Sequence, residues 1–211
     1  MLRDTEGQVS GLVGTILDIT ERKRMEQQLA EMATRDPLTG LMNRRAILSH
    51  LERLHADRRS QRQPLCLLMC DVDHFKSIND RHGHAVGDEV LTQVAQVLRQ
   101  HLRDGDQVGR IGGEEFLVVL QSTEPEQLAQ VGERLRQVVA SHPLMSLDTT
   151  FSVTLSIGAV RSLRADEDWA SVVSRADQAL YVAKRTGRDR VVMADSEPPR
   201  QLLHKDWHKQ L

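Results

Sequence analysis

The chain has 211 residues, of which 39% are hydrophobic, 27% charged and only 3% aromatic, with a formal net charge of -2. This is a soluble globular composition, large enough for one ordinary domain plus an appendage. The near-neutral balance excludes bulk attraction to nucleic acid or anionic lipid, so any phosphate must be bound by particular lysines and arginines.

The opening GQVSGLVGTILDIT alternates small, polar and apolar residues like a β-strand leaving a turn at Gly7. A lone strand buries nothing, so residues 1–19 read as the last piece of another domain. From Thr20 the composition turns helical, with Thr20 as N-cap and Met25, Leu29 and Met32 spaced 4 then 3 apart. Residues 20–34 are therefore expected to form a linker helix, either a short two-stranded coiled coil or a solvated rod. The main domain is expected over 35–195, and 196–211, with Pro198 and Pro199, is expected to be a tail.

Within the main domain, DPLTGLMNRR reads as a turn into a helix from Asn43 to Arg59. PLCLLMCDVD is a buried strand ending in two aspartates, and Cys66 and Cys70 within it read as reduced core residues. The next helix places Val90, Leu91, Val94, Leu98 and Leu102 on one face. RIGGEEFLVVL then reads as a hairpin, because a type I′ turn needs φ > 0 at both central residues and Gly112-Gly113 supplies it. A helix over Glu124 to Ser141 turns Leu128, Val131, Leu135 and Val138 inward. TFSVTLSIGAV alternates strictly, as one strand with Phe151, Val153, Leu155, Ile157 and Ala159 on one side. A helix from Trp169 to Arg185 and the short strand RVVMA follow. The order β-α-β-β-α-β-α-β mixes a hairpin with crossover helices, which predicts an α+β domain: a mixed central sheet flanked by helices, of ferredoxin-like or polymerase-palm kind. There is no G-x-G-x-x-G or P-loop. No apolar run approaches the roughly 20 residues of a membrane span and no secretory signal opens the chain, so no membrane span and a cytoplasmic location are expected.

Chemistry is concentrated in two segments. Glu114 and Glu115 beside the Gly-Gly pair are either solvated turn residues or ligands. Were the DVDHFKSIND strand to neighbour the hairpin, Asp71 and Glu114 would converge, and two close carboxylates must share a proton or hold a cation. Few oxygen ligands with room for phosphate and water suit Mg²⁺ or Mn²⁺. An EF-hand fails, because Lys76 stands where its loop needs glycine and His82 where it needs glutamate. Lys76, on a turn after the strand, is either a phosphate contact or a surface charge. Asn79 and Asp88 either read a guanine or cap the next helix, with His84 between them. Lys184 and Arg188, four residues apart around Gly187, either clamp a polyphosphate or end a basic helix.

Taken together, G-G-E-E-F at 112–116, D-V-D-H-F-K-S-I-N-D, G-H-A-V-G-D, D-P-L-T-G-L-M-N-R and A-L-Y-V-A-K-R-T-G-R closely resemble the GGDEF family of diguanylate cyclases, from about Thr34 to Ala194. The preceding SGLVGTILDITERKR resembles the C-terminal edge of a PAS sensor domain with its signalling helix. The resemblance implies a nucleotide-cyclase version of the fold and the condensation of two GTP into cyclic di-GMP with release of two pyrophosphates. It implies Mg²⁺ or Mn²⁺ at Asp71, Glu114 and the Val72 carbonyl, with Glu115 as a further ligand and Glu114 as proton acceptor. It places Asn79, His84 and Asp88 around the nucleotide, and Phe75, Lys76, Lys184 and Arg188 at the phosphates. Gly112 and Gly113 would leave the turn bare for the nucleotide. Each domain would hold one GTP, so a homodimer would be needed. By spacing alone Arg103-x-x-Asp106 reads as a loop salt bridge, but with the rest of the pattern it matches the family's inhibitory product site. The alternative to an enzyme is a catalytically inactive domain that binds GTP or cyclic di-GMP as a signal.

Overall fold

The computed structural model describes residues 2–3, 6–11, 17–23, 25, 33–61, 64–121, 125–146, 149–162 and 167–194. They fall into two units, Met1–Ala33 and Thr34–Leu211. In the first, strands β1 (Leu2–Arg3) and β2 (Val9–Gly11) pair antiparallel, and Gly7 between them takes φ 82°, a left-handed value open to glycine. The strand expected to leave Gly7 is thus three residues long and has a partner; residues 12–16 lie outside the described residues. A helix does begin at Thr20, but its capping group is the Asp18 carboxylate, which accepts the Thr20 N–H at 2.8 Å. Side-chain and backbone hydrogen bonding from Thr20 holds the exposed Asp18 carboxyl below its ordinary range. Met25 is exposed, and Leu29, Met32 and the tail from Ser196 lie outside the described residues.

The second unit contains, in order, α1 (Arg44–Gln61), β3 (Cys66–Val72), α2 (Phe75–His82), α3 (His84–Gln100), β4 (Gln107–Arg110), β5 (Glu115–Leu120), α4 (Pro125–Ser141), β6 (Leu144–Ser146), β7 (Thr149–Phe151), β8 (Leu155–Arg161), α5 (Trp169–Arg185) and β9 (Arg190–Met193). Its five-stranded sheet runs β4-β5-β3-β8-β9, antiparallel except for the parallel β8 and β9. The kernel β3-α3-β4-β5-α4-β8 is the expected βαββαβ arrangement with a mixed sheet between helices.

Strand β3 is buried at all seven positions because both faces of the sheet are covered. Cys66, Leu68, Cys70 and Val72 pack with α3 and α4, while Leu67 and Met69 pack with α1 and α5. Both cysteines are buried in this core outside any disulfide, and burial pushes the Cys70 thiol up to about 12. Helix α1 starts where the Asn43 side chain accepts the Ala46 N–H at 2.9 Å, satisfying one of the amide donors left open by the first turn. α5 spans the expected residues.

Three expectations need correction. The Gly-Gly segment is not a type I′ turn: neither Gly112 nor Gly113 has positive φ, and four residues, 111–114, separate β4 from β5, closed by the Ile111 N–H to the Glu115 carbonyl at 2.9 Å. Lys76 is not on a turn but in the first turn of α2, which enters from His74 in the left-handed region at φ 57°. The alternating run 151–159 is not one strand: Phe151 ends β7, which pairs with β6, and β8 begins at Leu155. Phe151, Val153, Leu155, Ile157 and Ala159 still face one core. Alternation reports the direction of side chains, and it is silent on which backbone each strand pairs with.

Candidate active site

The end of β3 lies between two neighbours, with Asp71 opposite Glu115 of β5 on one side and Ser156 of β8 on the other. The Val72 N–H donates to the Glu114 carbonyl at 3.2 Å, tying the Gly-Gly loop to the strand that carries Asp71. Asp71, Val72 and Glu114 consequently line one cavity of about 520 Å³, together with Phe75 and Lys76 from α2, Lys184 from α5 and Arg188 just beyond it. Seven of the residues singled out from the sequence thus share a single cavity.

The charges in it are coupled. The Lys184 ammonium lies 2.5 Å from the Asp71 carboxylate, which is almost fully buried. Burial pushes the Asp71 carboxyl up to about 6; Lys184 opposes this, while the like charges of Glu114 and Glu115 reinforce it. A further cation would relieve that excess of negative charge. Among the described residues no three or more His, Cys, Asp or Glu side chains gather as a metal cage. The two carboxylates and the Val72 carbonyl could hold a metal only if water or phosphate completed its coordination, which fits Mg²⁺ or Mn²⁺ and not an all-protein calcium or zinc site.

Glu115 does not line the cavity. It acts electrostatically on Arg44, whose guanidinium donates to the Ile111 carbonyl at 2.9 Å, and its carboxylate lies where a Cβ on Gly112 would come within 2.5 Å. A Cβ on Gly113 would meet nothing within 4 Å, so open space for a ligand borders Gly113 but not Gly112.

The proposed base-reading residues sit beside the cavity lining, on the α2–α3 corner. His84 and Asp88 are exposed on the first turns of α3. The Asn79 side-chain oxygen on α2 is buried against α3 without a hydrogen-bond partner. Gly87 makes room for it, since a Cβ there would stand 1.9 Å from that oxygen.

Sequence reasoning missed Asp36 and Arg110. Arg110 donates from Nε and a terminal nitrogen to the Gly113 carbonyl at 3.0 and 2.7 Å, and its other terminal nitrogen pairs with Asp36 at 3.2 Å. Burial works against the Asp36 charge, but the Thr39 hydroxyl and amide and the Arg110 guanidinium outweigh it and keep the carboxyl below its ordinary range. The pair fixes the loop that carries Glu114, and its only sequence signal was an arginine just before the glycines and an aspartate opening DPLTG.

Away from this cavity, Arg103 and Asp106 line a second one of about 260 Å³ with Arg35 and Arg99. The Asp106 carboxylate accepts the main-chain N–H groups of Arg103 at 3.3 Å and Gln121 at 2.9 Å. It therefore shapes the loop through the backbone and leaves a basic cleft beside it.

Residues 33–190 match the family model described as the diguanylate cyclase, GGDEF domain. The chain belongs to the GGDEF family. It is 38% identical over 190 residues to a diguanylate cyclase of Vibrio cholerae, covering 90% of this chain and 59% of that protein. It is 45% identical over 164 residues to diguanylate cyclase DgcP of Pseudomonas aeruginosa, covering 78% of this chain and 24% of the relative. The chain thus spans little more than half of one relative and a quarter of the other. Among solved structures, the coiled coil and GGDEF domain of DgcB from Caulobacter crescentus, in complex with c-di-GMP, matches with a TM-score of 0.77 and 35% identity over 82% of this chain and 93% of that one. The active GGEEF domain of a Vibrio cholerae diguanylate cyclase, whose signature is the G-G-E-E-F that stands here at 112–116, matches with a TM-score of 0.69 and 38% identity over 74% of this chain and 99% of that one. Among the described residues no helix is long and apolar enough to cross a membrane.

Proposed function

We propose that this domain is a diguanylate cyclase that binds GTP with Mg²⁺, or Mn²⁺, in the cavity between β3, the Gly-Gly loop and the end of α5. The observation that supports it is the meeting of three acids, Asp71, Glu114 and Asp80, with three cations, Lys76, Lys184 and Arg188, around one space. Acids alone would repel a triphosphate, and cations alone would bind one without helping it react. Asp71, Glu114 and the Val72 carbonyl would hold the metal ion, which when bound supplies charge neutralisation at the phosphoryl oxygens. Lys76, Lys184 and Arg188 bind the β- and γ-phosphates; Asn79 and Asp88 read the guanine edge, with His84 beside it. Glu114 takes the proton of the attacking ribose 3′-hydroxyl. Each 3′-oxygen forms a bond to the α-phosphorus of the facing GTP as the bond to pyrophosphate breaks, so two GTP give one cyclic di-GMP and two pyrophosphates.

One cavity holds one GTP, so two copies must face each other. The PAS-like edge over residues 1–19 and the linker helix over 20–34 would govern how they meet. The basic cleft at Arg103 and Asp106 suits the bis-phosphate product and would let it inhibit its own synthesis. Incubation with GTP and Mg²⁺, with the products separated by chromatography, is expected to yield cyclic di-GMP and pyrophosphate. Glu114→Gln should lower the rate by about 100-fold or more, and Arg103→Ala should raise the final amount of product. A chain that binds GTP and forms no product would refute the enzymatic reading in favour of a binding domain.

A further inference from the structure

Asp73, two residues beyond Asp71, is as buried as Asp71 but plays no part in the chemistry above. Its carboxylate accepts the Ser156 hydroxyl at 2.6 Å, the Thr154 hydroxyl at 2.7 Å and the main-chain N–H of Asp189 at 3.0 Å. The last bond reaches across the sheet to an unusual turn. After α5 the chain passes through Gly187 at φ 125°, then Arg188 at φ 61° and Asp189 at φ 45°. The Arg188 N–H returns to the Ala183 carbonyl at 3.0 Å, closing the helix end around Gly187. Glycine accounts for the first left-handed position; two further side chains in that region persist only where their surroundings hold them. Besides Arg190, whose Nε donates to the Arg188 carbonyl at 2.9 Å, two groups do so from outside the turn. Asp73 grips the Asp189 amide from inside, and Arg136 of α4 grips the Asp189 carboxylate from outside at 2.5 Å. The Arg188 guanidinium, left 4.0 Å from Asp73, remains on the cavity wall.

We infer that Asp73 is a positioning residue for phosphate binding: supported by Arg136, it locks the 187–189 turn so that Arg188 faces the triphosphate tail. This rests on the GTP-binding reading above and adds how one of its cations is placed. It makes the acceptor geometry of Asp73, not its charge, the property that matters. Asp73→Asn keeps an oxygen for the Asp189 amide, and its new N–H₂ can donate to a neighbouring hydroxyl; Asp73→Ser is too short to reach that amide.

The test uses the full chain with Mg²⁺ and measures calorimetric affinity for two ligands, a nonhydrolysable GTP analogue and GMP, together with hydrogen exchange at the Asp189 amide. Asp73→Ser should weaken the triphosphate analogue by about 10-fold or more, on the scale of a hydrogen bond to a charged group. It should leave GMP within about twofold, a difference smaller than half a kcal/mol-scale contact, and abolish protection of the Asp189 amide. Asp73→Asn should restore most of both. Arg136→Met, on the far side of the turn, removes ion pairs to Asp189 and to Glu133 of its own helix, of which only the first bears on the turn, and should weaken only the triphosphate analogue, by about threefold, as expected for a partly exposed pair; this variant carries the test if Asp73→Ser does not fold. Equal losses for both ligands, unchanged triphosphate affinity, or an Asp189 amide still protected in Asp73→Ser would overturn the inference. A wild-type chain that binds neither ligand would instead overturn the GTP site itself, and the inference would fall with it.

Discussion

Asp71→Asn should make the metal-free chain more stable while removing its response to Mg²⁺. The Asp71 carboxyl is raised from an ordinary 3.8 to about 6, first by burial and then by the nearby glutamates, with Lys184 offsetting only part. At about 1.36 kcal/mol per pH unit, keeping this group ionised in the folded state costs about 3 kcal/mol. The folded chain holds the proton until about pH 6 and the unfolded chain releases it near 3.8, so the folded state binds more protons between those values. Stability contributed by Asp71 is therefore fully present below the lower value, falls as pH rises through the window, and is flat above it. Asparagine does not titrate. In chelator at pH 8 the variant should unfold about 6 to 12 °C higher, taking roughly 2 to 4 °C per kcal/mol for a chain of this size. At pH 4.5 the advantage should shrink to about a third. Added Mg²⁺ should raise the wild-type midpoint by mass action and leave the variant unmoved. Thermal unfolding followed by circular dichroism reads all of this. A variant less stable than wild type at pH 8, or an advantage independent of pH, would refute the electrostatic account.

Gly87→Ala should separate binding from stability. The new methyl displaces the Asn79 carboxamide, so guanine nucleotide affinity should fall about 10-fold, while the helix-propensity gain of about 1 kcal/mol is offset by crowding of the Phe75 ring at 3.1 Å, leaving stability within about 1 kcal/mol of wild type; unchanged affinity in a titration would remove Asn79 from the base site. Gly158→Ala should lose about 2 to 4 kcal/mol in urea unfolding, because its Cβ would meet backbone atoms of α5, the Ala176 carbonyl oxygen at 2.1 Å and the Leu180 nitrogen at 2.4 Å; a loss below about 1 kcal/mol would mean the helix can back away from the sheet. Arg110→Met should release the Gly113 carbonyl and lower turnover about 10-fold by misplacing Glu114, with the fold retained; wild-type turnover would show that the loop holds itself.

Helix bounds were the most legible feature, because a period of 3.6 residues and the terminal residues are local. α5 matches its expected ends, and α1 and α4 differ by a residue or two. The Gly-Gly segment was misread because glycine permits positive φ without requiring it: here the glycines give clearance while Arg110 sets the path. Asp73 was passed over because nothing in DVD separates an acid aimed into the cavity from one turned into a hydrogen-bonded turn. The short helix α2 was missed because eight residues around a left-handed His74 carry little periodicity.

By itself the amino-acid order determined the family, the α+β class, the inward face of the long helices and of the 151–159 run, and the candidate site residues. It could not decide that Asp71 and Glu114 share a cavity with Lys184 and Arg188, since these residues belong to separate elements and come together only through the β5-β3-β8 register and the packing of α5. Side-chain direction along a helix or strand follows from local geometry. Convergence at a site is set by which strands pair, in which register, and by the backbone turns that other side chains hold in place.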